Sequence, residues 1–141
     1  MISEAFRGGI FHFLSDPKDG LTGCYEFFED GLLVVESGRI TQLGDAELLI
    51  GELDISVKIH DYTRKIICPG FVDTHVHYPQ LAIIGSYGES LLQWLENYAF
   101  DEEKKFNDAD HSLNTANYFL DELLRCGTTT AQVFGTVHPE S

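Results

Sequence analysis

A chain of 141 residues that is 43% apolar, with ten Phe and six Tyr, has the material for a buried core. Nine basic against 23 acidic residues leave a formal net charge of -14, a sign that repels nucleic acid and anionic membrane and predicts neither as a partner. No apolar run reaches the roughly 20 residues of a membrane span, the start lacks a secretory pattern, and Cys24, Cys68 and Cys126 are too scattered for a disulfide framework or a thiolate zinc cluster. A reduced, cytoplasmic protein is expected.

In chain order, "GGIFHFL" (8–14) and "CYEFFED" (24–30) read as strands. "LLVVESGRITQLG" (32–44) reads as a hairpin turning at Ser37-Gly38, where glycine takes the positive φ of a two-residue loop. "DAELLIGEL" (45–53) predicts one or two helical turns, and "VKIHDYTRKIICPG" (57–70) returns to strand character. After Pro69 the order becomes strand, helix, strand. "GFVDTHVH" is the first strand. "ESLLQWLENYAF" follows with an apolar stripe at Leu91, Trp94, Leu95 and Tyr98. A longer helix begins near Asp108 or Asp110, with Leu113, Ala116, Leu120, Leu123 and Leu124 as its stripe, and stops at Gly127. "TTTAQVFGTV" (128–137) is rich in β-branched residues and closes a βαβ unit. One such unit cannot close a barrel, which needs eight strands and about 250 residues.

The chemistry concentrates in "PGFVDTHVHYPQ" (69–80). Side chains alternate along a strand, so Asp73, His75 and His77 share one face and Val72, Thr74 and Val76 the other. The two imidazoles stand roughly 6–7 Å apart along the strand and can converge on one ion about 2 Å from each ring nitrogen. They lie at the C-terminal end, where α/β units place their sites. Asp73 could orient a ligand imidazole or could simply pin the strand. Two imidazoles do not complete a catalytic zinc site, which takes three protein ligands and an open position. His12 and His60 are expected in structural roles, and His111 in solvent. His138 falls where a site residue could stand. Trp94 and the aromatics near it are expected in the core. The run Asp101-Glu102-Glu103 reads as a solvated helix start.

These residues carry a resemblance. "PGFVDTHVHYPQ" resembles the first barrel strand of the amidohydrolase superfamily, whose pattern is PGF-x-D-x-H-x-H. "HYPQ", "LLQWLENYAF" and "LLRCGTTTAQVFGTVHPES" are similar to the guanine deaminase family within it, and "GLLVVESGRITQLG" to the small β-sandwich domain that leads into the barrel there. The resemblance implies an α/β fold. Residues 1–67 would be part of that β-sandwich. Residues 68–141 would begin a metal-dependent (β/α)8 TIM-like barrel, supplying its first two strands and the helices between, incomplete in this chain.

The resemblance also implies roles. His75 and His77 would be the first two ligands of a single Zn2+. His77, Tyr78, Pro79 and Gln80 would form one wall of a guanine pocket, Gln80 meeting the ring edge with an amide that both donates and accepts. Zinc supplies a water ionised near neutral pH, and the reaction would be hydrolysis of guanine to xanthine and ammonia, in purine catabolism. No catalytic residue is expected within the chain. The proton-shuttling Glu and Asp, and the remaining ligands, are expected beyond residue 141, with a homodimer at full length. The chain alone should bind zinc weakly, turn over nothing, and be poorly stable or aggregate. The alternatives are another aminohydrolase or chlorohydrolase of the superfamily, and a non-catalytic interaction module.

Overall fold

The hairpin forms as its turn chemistry requires. Ser37 and Gly38 both take positive φ, 50° and 77°, the pairing of a tight turn whose twist matches the strands it joins. In this computed structural model, which describes residues 3–18, 20 and 22–141, the hairpin is one side of a four-stranded sheet. Its order is β3 (Arg39–Asp45), β2 (Tyr25–Glu36), β1 (Ser3–Phe13) and β4 (Lys58–Ile67). The sequence suggests two strands on either side of Gly31, but β2 runs through that residue unbroken. β1 pairs antiparallel with β2, from Ser3 opposite Glu36 to Phe13 opposite Tyr25, and parallel with β4. Asp45 accepts from the Glu47 amide at 2.9 Å and starts the short helix α1 (Ala46–Ile50). Ala5, Leu32, Val34 and Ala46 are buried together, with Leu49, Ile50, Leu53 and Val57 packed on them.

The chain divides between Pro69 and Gly70 into two compact units. In the second, β5 (Phe71–His77) and β6 (Thr128–Phe134) pair in parallel, with Phe71 opposite Thr128 and His77 opposite Phe134. Gly70 leads into β5 and has no room for a side chain. A Cβ there would lie 2.0 Å from Thr129 Oγ1 and 2.7 Å from Thr129 Cβ, so rotating Thr129 would not relieve the clash. Between the strands come a 3-10 turn (Tyr78–Ile83), α2 (Leu91–Trp94), a π-turn (Leu95–Ala99), α3 (Phe100–Glu103), a 3-10 turn (Lys104–Asn107) and α4 (Ala109–Arg125). Asp108 caps α4 by accepting from the His111 amide at 2.8 Å.

Which faces are buried differs from the sequence stripes. Helix α4 turns Ser112 and Phe119 inward, with Ala116 and Leu123 beside them, and leaves Leu113, Leu120 and Leu124 exposed. The helix carries two apolar rows, and the one with the aromatic residue meets the core. Leu91 is also exposed, and a π-turn interrupts the 3.6-residue period after Trp94. The core is built on Tyr78, Phe106 and Phe119, Tyr78 meeting the Phe106 ring edge-on at 5.2 Å. Among the described residues, no helix is long and apolar enough to cross a membrane.

Candidate functional site

Strand β5 places the two histidines of the motif at its end. Their Nε2 atoms stand 3.1 Å apart, and the ring centroids 5.1 Å apart. One ring can donate to the other at this distance, or both can serve one cation, since two nitrogens on a tetrahedral zinc lie about 3.3 Å apart. The donor set therefore fits half of such a site. Among the described residues, no group of three or more His, Cys, Asp or Glu is placed to hold a metal. Asp73 spends a carboxylate oxygen on the backbone amide of His75, at 3.0 Å. This bond belongs to the strand-pinning role, one of the two open to Asp73.

Phe134, directly across from His77 in the parallel pair, completes the arrangement. Its ring lies 4.6 Å from that of His75 and 4.8 Å from that of His77, nearly parallel to the latter at 16°. The aromatic ring limits the tilts open to both imidazoles. Nothing local in the sequence marks Phe134 for this task, because the register of β5 against β6 decides it.

An open cleft of about 480 Å³ adjoins the pair, lined by His75, His77, Gln80, Leu81, Trp94 and Phe119 among others. Its volume suits a small ring compound. Pro79 sets the start of the 3-10 turn that carries Gln80. Gln80 Nε2 donates to Glu103 Oε1 at 2.9 Å. Of the four residues expected to form the substrate wall, His77 and Gln80 line the cleft. Tyr78 and Pro79 are buried, Tyr78 among the core aromatics. Trp94 is only partly buried, and its indole N–H donates to the Ser86 carbonyl at 3.1 Å, which fixes the loop beside the cleft.

The acid run is not a uniformly solvated helix start. Asp101 and Glu102 each take a lysine one turn on, Lys104 and Lys105, at 2.7 and 2.6 Å, and Glu102 is buried. Glu103 turns inward to Gln80. His111 also departs from expectation. It is half-buried, edge-on to Phe106 at 4.8 Å, with Nε2 enclosed and without a hydrogen-bond partner among the described residues. His138 is half-buried, and its backbone amide donates to Thr136 Oγ1 at 3.0 Å.

The model of the amidohydrolase family matches residues 66–141. A guanine deaminase of Escherichia coli (strain K12) is 42% identical over 141 residues, covering 98% of this chain and 32% of that protein. The solved structure named as E. coli guanine deaminase superposes with a TM-score of 0.89 at 39% identity, over 97% of this chain and 32% of that one. A guanine deaminase from C. acetobutylicum, solved with guanine in its active site, gives 0.74 at 29% identity, over 96% of this chain and 30% of that one. The chain thus spans about a third of the length of the relatives it matches. Its mixed α/β structure follows theirs along nearly all of that span. With the paired imidazoles on β5 inside the matched region, the chain belongs to the amidohydrolase family.

Proposed function

We propose that the protein carrying this chain is a zinc-dependent guanine deaminase, which hydrolyses guanine to xanthine and ammonia in purine catabolism in the cytoplasm. The observation that carries the reading is the His75–His77 pair, with Nε2 atoms 3.1 Å apart, beside a cleft faced by Gln80. Residues 1–67 are read as part of a small β-sandwich domain and residues 68–141 as the start of a (β/α)8 TIM-like barrel. Leu113, Leu120 and Leu124, more than half exposed along one side of α4, support a barrel in which further chain covers them. The relatives are about three times as long. The remaining metal ligands and the proton-shuttling Glu and Asp are assigned to the part of such an enzyme that lies outside these residues, as is assembly into a homodimer.

When bound, zinc supplies Lewis acidity and a water ionised near neutral pH. His75 and His77 would hold it through their imidazole nitrogens, and Phe134, beside both rings, limits their tilt. Gln80 and His77 meet the ring edge of guanine at the cleft surface, while Tyr78 and Pro79 act from the core as their support. Trp94 and Phe119 give the cleft apolar sides that favour a flat heterocycle over water. The overall exchange is balanced: water adds at C2 of guanine, the C2–N bond breaks, and ammonia leaves with the protons.

The test is turnover of guanine by the protein at the length its cell makes it, followed by loss of guanine absorbance and release of ammonia. Guanine should be converted, chelation should abolish conversion, and added zinc should restore it. Turnover of another ring amine or chlorinated ring, with none of guanine, would overturn the substrate and keep the family.

A further inference from the structure

We infer that Glu103 is a positioning residue for substrate specificity, which fixes the sense in which the Gln80 amide faces the cleft. The inference rests on the reading of Gln80 as part of the substrate wall. An amide is almost symmetrical in shape, yet it donates on one side and accepts on the other. Left alone on the wall of an open cleft, Gln80 could present either side, and a ring with a fixed order of donors and acceptors would meet the wrong one part of the time.

Glu103 removes that freedom. A carboxylate only accepts, so the group that faces it must be the amide nitrogen. The contact is made, Gln80 Nε2 to Glu103 Oε1 at 2.9 Å, between two half-buried side chains 23 residues apart. The charges beside it leave Glu103 for this task. Lys104 is held by Asp101 and Lys105 by Glu102, each over one helical turn. With one N–H committed, the amide is held in one sense, and Gln80 keeps Oε1 as an acceptor for an N–H on the edge of a ring bound in the cleft. The selected ligand is then a heterocycle that offers a donor at that point. An analogue of the same shape offering a lone pair there meets a second acceptor.

The experiment uses the protein at native length with its zinc bound. Glu103→Gln is isosteric but can itself donate or accept, so it frees the amide to flip; Glu103→Leu removes the partner. KM for guanine should rise about twofold in Glu103→Gln, where both senses of the amide are open. It should rise about tenfold in Glu103→Leu, where the side chain also loses its anchor, with kcat little changed in either. In a Gln80→Leu background, Glu103→Gln should add no further loss. A crystal structure of the Glu103→Leu protein should show the Gln80 amide displaced from its place at the cleft. If Glu103→Leu does not fold, the isosteric variant carries the kinetic test. Equal losses from Glu103→Gln with and without Gln80, or a fall in kcat at unchanged KM, would overturn the inference. Should the parent protein not act on guanine, the proposed activity fails, and the crystal structures still decide whether Glu103 holds the amide.

Discussion

Four histidines lie on strands in this chain, and their surroundings divide them into two pairs. In the first unit, His12 Nε2 sits 3.1 Å from a Glu26 carboxylate oxygen, across the β1–β2 pair. His60 stacks on Phe6 at 4.9 Å, with Nε2 at 3.6 Å from Glu4, within ion-pair range but too long for a hydrogen bond. In the second unit, His75 and His77 have each other and Phe134. The nearest acid in the strand, Asp73, bonds to backbone. His12, with a carboxylate within hydrogen-bond reach on the next strand, is served by the fold itself, and His60 is held by ring stacking. Two imidazoles that aim nitrogen lone pairs at one point require a shared proton or a cation between them. The residue type is the same, and what surrounds it separates the histidines held by the fold from the pair proposed to hold a metal.

The largest effect expected from this contrast is on metal. His75→Ala or His77→Ala should leave the native-length protein without zinc after gel filtration, and turnover should fall to background. His12→Ala and His60→Ala should retain the zinc of the parent, read by elemental analysis. Loss of zinc from the His60 variant would break the comparison. Next comes the strand that presents the pair. Gly70→Ala puts a methyl group against Thr129 and must push β5 from β6. It should cost about 1–3 kcal/mol in denaturant unfolding, the usual range for overpacking. An unchanged midpoint would mean that the entry to β5 is looser than the contact implies.

The smallest effect belongs to the first unit. Arg7 Nε and Nη2 grip the two Asp30 carboxylate oxygens at 2.8 and 2.6 Å. The side-chain hydrogen bond from Arg7, aided by its charge, holds the Asp30 carboxyl below its ordinary range. A lowered carboxyl pKa stabilises the fold at pH values above the unfolded value, and that contribution fades as pH falls through the native one. The pair is well exposed, so solvent screens it. Asp30→Asn should therefore lower the thermal midpoint by a few degrees at most at neutral pH. The gap to the parent should close in acid, and zinc content should not change. A gap that widened in acid would reverse the assigned sign.

What could be read in the sequence was local. The turn at Ser37-Gly38, a cap for α4 at Asp108 or Asp110, and the spacing of His75 and His77 each depend on neighbours a few residues away, and the chain states them directly; the structure chooses Asp108. The family resemblance rests on the same kind of contiguous signal. The inward side of α4 could not be read, because two apolar rows compete and only the packing of Phe119 against Tyr78 and Phe106 decides between them. Nor could the parallel pairing of β1 with β4, the stacking of Phe134 on both imidazoles, or the reach of Glu103 to Gln80. Each joins residues more than twenty positions apart, where composition and period are silent. Tyr78 shows the limit on the site itself. It stands in the motif, but its apolar ring goes to the core while Gln80, two residues on, reaches the cleft.

The π-turn at Leu95–Ala99 works as a counter. A regular helix turns about 100° for each residue, and a turn closed one residue later spends an extra position before the next begins. Every residue after it is rotated by one step from where an unbroken helix would put it. Glu103 and Phe106 both come after. Their alignment with Gln80 and Tyr78 is thus encoded partly in the number of residues between Leu91 and Phe106. Removing one residue from this segment would carry the carboxylate away from the amide without altering either. The stretch can accept changes of identity more readily than changes of length.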